Sequence, residues 1–194
     1  GTFLSEISEK FKYIIVMRNP IELLFTWFRS GRGTRLGTDP RYTNPAFQIK
    51  GFDNLHYSML DHAEEFSNSN ALEKCFLVME KQMLEYLNAD LLNSENSCLV
   101  SFENYCIETE KYIQKFENFL GTSRTKFTSE EMISANVPRK KDSNTYAIKA
   151  NMIFDNMKEE YVVRLKNLCQ RYESEISDVY KSSSIVRSSK GKYK

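Results

Sequence analysis

Five consecutive apolar residues, Tyr13-Ile14-Ile15-Val16-Met17, run straight into Arg18-Asn19-Pro20. A run of that length, rich in β-branched residues, predicts a strand buried on both faces, as in a parallel sheet. Pro20 ends it and is suited to the first position of a helix, because the N–H it lacks would have no partner there. The following residues, Ile21 to Arg29, continue as that helix, and Gly31, Gly33 and Gly37 close it in a loop. A buried strand feeding directly into a helix commits this part of the chain to an α/β arrangement with a parallel sheet.

The rest of the chain extends the alternation. Apolar residues at Phe3, Leu4, Ile7 and Phe11 have helical spacing, while Arg32 to Asn54 is polar and punctuated by Pro40 and Pro45. Asp53 to Phe66 and Leu72 to Leu87 both read as helices, the second with Leu72, Cys75, Met79, Met83 and Leu87 at steps of three or four. Cys98 to Phe102 is a second short buried strand, and Thr109 to Leu120 a helix stopped by Gly121. Thr128 and Glu131 have the spacing of a capping box and start another short helix. One long helix is expected near the end, from Ile153 to Tyr180, where Phe154, Met157, Tyr161, Leu165, Leu168, Tyr172, Ile176 and Val179 step by three or four. Its apolar stripe reads as core packing, against the alternative of a helical scaffold presenting a partner surface. The expected organisation is one domain over residues 1–180 and a basic, mobile tail over 181–194.

Composition removes several function classes. Lys+Arg of 27 against Asp+Glu of 26 gives a formal net charge of +1, so no broad electrostatic footprint for nucleic acid is expected and any anion site is local. No apolar run approaches the roughly 20 residues needed to span a bilayer. The four cysteines, Cys75, Cys98, Cys106 and Cys169, lack metal-ligand or disulfide-framework spacing and read as buried free thiols of a reducing compartment, which makes a cytoplasmic location the expectation. His56 and His62 read as helix-surface residues, and no metal site is expected.

The chemistry concentrates where the first strand delivers Arg18 to its C-terminal end, the position at which ligands bind in open α/β sheets. The helix opened by Pro20 offers backbone N–H groups in its first turn, and Thr26 follows Arg18 by eight residues. A guanidinium and a hydroxyl near a helix start form a sound anion clamp. A salt bridge for Arg18 and plain helix surface for Thr26 are the competing readings.

Strand, Arg-Asn-Pro, and a helix with a hydroxyl eight residues after the Arg resembles the 3'-phosphate-binding motif of sulfotransferases. By that resemblance Arg18 and Thr26 hold the 3'-phosphate of PAPS, the sulfuryl donor, and of its product PAP. Downstream, Phe102-Glu103-Asn104 is similar to the family's Tyr-Glu-Asp strand end, and Phe119-Leu120-Gly121 matches its helix end. Phe102 is expected in core packing, with stacking on adenine as the alternative, and Glu103 as a structural carboxylate. Pro138-Arg139-Lys140-Lys141 resembles the Arg-Lys-Gly loop that closes over the same phosphate, which puts Arg139 and Lys140 in the site; a solvated basic loop is the other reading.

The resemblance implies a P-loop-NTPase-like parallel sheet flanked by helices, no metal, and transfer of a sulfuryl group from PAPS to an acceptor hydroxyl or amine. In the family an earlier strand–loop–helix handles the 5'-phosphosulfate and the catalytic base precedes the Arg, so the chain is expected to be an N-terminally truncated part of the domain, inactive alone, with no catalytic residue assigned. The expected acceptor is a small molecule or carbohydrate, Arg35, Arg41 and Tyr42 favouring an anionic or sugar substrate if their loop borders the acceptor pocket. A truncated sheet exposes a strand edge, so self-association is expected. A nucleotide kinase is disfavoured, for neither a Walker sequence nor a Mg²⁺-binding Asp after a strand is present. The alternative from another class is a non-catalytic nucleotide-binding or interaction domain with the same fold.

Overall fold

The structure is a computed structural model that describes residues 11–36, 46–49, 52–88, 95–140 and 142–177. The expected N-terminal helix and basic tail, and Gly37, Pro40, Arg41, Tyr42, Pro45 and Lys141, lie outside the described residues.

The opening unit forms as the sequence predicts. Strand β1 spans Tyr13–Met17 and helix α1 spans Pro20–Arg29, with Pro20 at its first turn. Asn19 caps the helix, its side-chain oxygen accepting from the N–H groups of Ile21 (3.0 Å) and Glu22 (3.4 Å). The first-turn donors expected to face an anion are therefore engaged within the protein. Gly31 adopts a left-handed conformation (φ 69°) and turns the chain into a single-turn helix α2, Arg32–Arg35.

Next come two antiparallel strands, β2 (Ala46–Ile49) and β3 (Phe52–His56), then a 3-10 turn over Tyr57–His62 and helix α3 (Ala63–Ser67). This corrects the expected loop up to Asn54 and the expected helix from Asp53. It also corrects His56, which is fully buried at the end of β3, where its ring accepts from the Ser58 N–H. His62 is exposed, as expected, and lies 3.6 Å from Glu65.

Helix α4 (Ala71–Asn88) buries Leu72, Cys75, Phe76, Val78, Met79 and Met83, and is the spine of the core. Its start carries a reciprocal capping box: Asn70 Oδ1 accepts from Leu72 and Glu73, while Glu73 Oε2 accepts from the Asn70 N–H (2.9 Å). Strand β4 (Ser97–Ser101) then pairs parallel with β1, Tyr13 opposite Ser97 and Met17 opposite Ser101.

Helices α5 (Phe102–Ile107) and α6 (Thr109–Leu120) follow, the latter ended by left-handed Gly121 as expected. Helix α7 (Thr128–Ser134) starts where the sequence predicts, but no capping box forms: the Thr128 hydroxyl accepts from the Thr125 N–H.

The expected long final helix is two helices, α8 (Ser143–Asp155) and α9 (Glu159–Glu175). The break is tertiary. Between them the Lys158 N–H donates to Glu73 Oε1 (3.1 Å) and the Asn156 carbonyl accepts from Asn70 Nδ2 (3.4 Å), tying the connection to the head of α4. The stripe is nevertheless core, because Phe154, Tyr161, Leu165, Leu168 and Tyr172 are all buried.

The outcome is a mostly helical α/β fold with a small parallel sheet, two strands wide among the described residues. The expected burial of β1 on both faces holds only for Met17. Tyr13 to Ile15 are half-buried and Val16 is 54% exposed, since among the described residues no strand pairs with the edge of β1 away from β4. All four cysteines are free and buried. Among the described residues no helix is long and apolar enough to cross a membrane.

Candidate functional site

The parallel register that sets Met17 opposite Ser101 makes Arg18 and Phe102 leave the sheet side by side. The Arg18 guanidinium lies over the Phe102 ring, 5.1 Å from its centroid. Phe102 is thus half-buried beside a cation and does not sit in the core. A cavity of about 240 Å³ opens at this point, at the C-terminal ends of both strands. Its walls carry Arg18 from the end of β1, Glu22 from α1, Phe102, Glu103 and Cys106 from α5, and Arg139 and Lys140 from the loop after α7. Helix α8 closes the remaining side with Asp142, Thr145 and Lys149.

Glu103 organises the floor. Its buried carboxylate accepts from the Asn19 N–H (3.0 Å), the Tyr172 hydroxyl (2.8 Å) and the Ser101 hydroxyl (3.3 Å), and stands 3.9 Å from Arg18 Nε. A carboxylate with that many donors is a structural anchor, as expected for it. It joins the end of β1, the cap of α1 and the body of α9. Burial, first, and then the charge of Glu103 hold the Tyr172 phenol well above its ordinary range, so it remains a donor.

Arg18 is half-buried, with 31% of its side chain exposed. One terminal nitrogen donates to Glu22 Oε2 at 3.3 Å, and its buried Nε has no hydrogen-bond partner. Glu22 is buried and also receives the Lys149 ammonium, 2.8 Å from both oxygens. The loop bearing Arg139 and Lys140 is pinned beside the cavity by the Arg139 N–H, which donates to the Cys106 carbonyl (2.6 Å). The Arg139 guanidinium donates to the carbonyls of Ala135 (2.9 Å) and Asn136 (3.0 Å), satisfying the end of α7. Burial pushes the Cys106 thiol up, with Arg139 opposing. Asp142 caps α8, and its carboxyl is held below the usual range chiefly by hydrogen bonds from Thr145.

Of the four residues singled out in the sequence, Arg18, Arg139 and Lys140 are brought together on one cavity. Thr26 is not among its walls: it is exposed one turn beyond Glu22, and its hydroxyl donates to the Glu22 carbonyl at 2.8 Å. Glu22 and Lys149 went unnoticed in the sequence. Glu22 carries a local signal, standing four residues after Arg18 and within reach of it across the start of α1. Lys149 carries none, since it lies ahead of Ile153, where the expected final helix begins. Among the described residues no cluster of three or more His, Cys, Asp or Glu is arranged to hold a metal ion.

A family model described as "Sulfotransferase domain" matches residues 3–194. The chain belongs to the sulfotransferase family. Sulfotransferases transfer sulfuryl groups to small-molecule acceptors and generally take them from PAPS. No curated protein and no solved structure matches this sulfotransferase chain.

Proposed function

We propose that the cavity at the ends of β1 and β4 binds the 3'-phosphate of PAPS, and of PAP after transfer, within an enzyme that moves the sulfuryl group to a hydroxyl or amine of a small-molecule or carbohydrate acceptor. The observation that carries the reading is the convergence of Arg18, Arg139 and Lys140, from distant parts of the sequence, on one cavity in which the Arg18 side chain keeps 31% of its surface exposed. A phosphate fits those three cations: it is a multiple acceptor, it matches a guanidinium in shape, and its charge suits theirs. Phe102 beside Arg18 offers a flat apolar face to the attached base.

Arg18 acts on the donor at a distance from the reacting sulfur. Holding a remote phosphate orients the sulfuryl group and supplies binding energy that the chemical step can draw on. Arg139 and Lys140 add attraction from the exposed rim, which salt weakens. PAPS supplies the electrophilic sulfuryl group. The reading assigns no residue of this chain to the sulfuryl group or to deprotonating the acceptor, and in the family's pattern both tasks belong upstream of Lys12. A non-catalytic nucleotide-binding domain with the same fold would have the same phosphate site, and sulfuryl-transfer assays separate the two.

Calorimetric titration with PAP, beside AMP and beside the Arg18→Ala variant, tests the site. A hydrogen bond from a charged guanidinium contributes about 1.5–3 kcal/mol, so Arg18→Ala is expected to weaken PAP roughly 10- to 100-fold. AMP, which lacks the 3'-phosphate, is expected to bind weakly to both proteins. Equal affinity for PAP and AMP, or an Arg18→Ala variant that binds PAP like the wild type, would sink the reading.

A further inference from the structure

Two buried carboxylates flank the Arg18 guanidinium, Glu22 bonded to one terminal nitrogen at 3.3 Å and Glu103 at 3.9 Å from Nε. Left to themselves, two carboxylates against one guanidinium make the inner wall of the cavity net negative. That field would repel a phosphate and keep Arg18 occupied. Lys149 reverses the balance. Its ammonium reaches from the middle of α8 to lie 2.8 Å from both oxygens of Glu22, and its side chain is only 21% exposed. It also stands 5.5 Å from the centre of the Phe25 ring, so its place is set by packing as well as by charge.

The cavity walls carry four cations (Arg18, Arg139, Lys140, Lys149) and three carboxylates (Glu22, Glu103, Asp142), 4 − 3 = +1; without Lys149 the sum is 3 − 3 = 0. Glu103 is spoken for by three hydrogen-bond donors and Asp142 by the Thr145 cap, which leaves Glu22 as the carboxylate that competes with an incoming anion for Arg18.

We infer that Lys149 is a positioning residue of the anion site: it holds and neutralises Glu22, so that the Arg18 guanidinium is available to the phosphate. This rests on the reading that the cavity takes a nucleotide phosphate. It goes further in making helix α8 part of the site and Glu22 an internal competitor whose suppression sets the affinity. The Lys149–Glu22–Arg18 chain couples the end of β1 to α8, so a phosphate drawing on Arg18 is read out through an ion pair that does not touch it.

The test is titration with PAP of Lys149→Met, Lys149→Arg, Glu22→Gln and the Lys149→Met/Glu22→Gln double variant. Lys149→Met keeps the apolar stem near Phe25 and is expected to weaken PAP by roughly tenfold or more, whereas Lys149→Arg retains near wild-type binding. Glu22→Gln alone binds at least as tightly as the wild type. Removing the competitor also removes the need for Lys149, so the double variant, whose walls carry the same net charge as the wild type, is expected to bind about as tightly as the wild type. A double variant that stays as weak as Lys149→Met would mean that Lys149 touches the ligand itself, and overturns the inference. So would a Lys149→Met variant with unchanged affinity. Lys149→Met strands a buried carboxylate, and if it fails to fold the double variant, which buries no lone charge, still decides. Failure of the underlying site is separate: there the wild type does not distinguish PAP from AMP, whatever Lys149 does.

Discussion

At the end of β3 the His56 imidazole is fully buried, its Nδ1 is 2.8 Å from the Ser58 hydroxyl, and its Nε2 has no hydrogen-bond partner. Burial, and secondarily the positive charge of Arg32, lower its pKa from 6.5 to about 4. The native protein therefore holds this ring neutral where the unfolded chain would protonate it. Because the folded pKa is the lower one, the contribution of His56 to stability is complete above pH about 6.5. It falls away as pH drops toward 4, and is flat below that. Burial holds a competing proton off the ring at a differential of about 3 kcal/mol, most of it lost between pH 7 and 4.5. Denaturant unfolding of the wild type between pH 7 and 4.5 is expected to show that loss, on top of any carboxylate contribution. His56→Asn removes the titrating group and should flatten the profile by a similar amount; parallel profiles for the two proteins would rule the assignment out. A sequence argument had no access to this residue's burial. A histidine in a segment with apolar residues at helical spacing looks like helix surface, and only the pairing of β3 with β2 turns the chain so that the ring goes inward.

Between elements, α2 comes very close to the head of α4 at Gly33. A Cβ on Gly33 would stand 1.8 Å from the Ala71 carbonyl oxygen and 2.6 Å from its carbon, backbone atoms that cannot step aside. Gly33→Ala is expected to cost about 3 kcal/mol, or roughly 6–12 °C in Tm, and a variant melting with the wild type would mean that α2 lifts away freely. The sequence shows Gly33 only as one of several loop glycines, for the contact is made with a segment nearly forty residues on. The same contrast runs through the other elements. β1 and the start of α1 were legible because an apolar β-branched run and a helix-opening proline act on near neighbours. α4 and α6 were legible because one apolar face and a glycine stop suffice to define them. The division of α8 from α9 was not, since the apolar steps from Phe154 through Met157 to Tyr161 continue across it and the interruption comes from Asn70 and Glu73 on another helix. Losing α8 as a separate helix also hid Lys149, so the candidate site could be read for its strand end and its basic loop but not for its third wall.

On the scale of the whole molecule, the side of β1 away from β4 is left without a pairing strand among the described residues. A cavity of about 490 Å³ runs along it, walled by β1 itself and by Leu23, Met79, Met83 and Tyr86. Val16 is 54% exposed there, and Phe11, just before the strand, is 64% exposed. Among the described residues no strand pairs with that edge, and an added strand would both satisfy its backbone groups and cover the apolar trough beside it. A second copy of the chain carries the same edge and the same trough, so pairing about a two-fold axis satisfies both at once. Sedimentation velocity over a concentration series is accordingly expected to show reversible self-association of the chain. Val16→Lys should suppress it, since a solvated ammonium on the edge opposes strand addition and an exposed site tolerates the change. The Tm of Val16→Lys measured at low concentration should stay close to that of the wild type, which separates loss of association from loss of fold. A wild type that sediments as a single monomer throughout would mean that the edge is closed by the chain's own residues, and the apolar trough would then belong to the core.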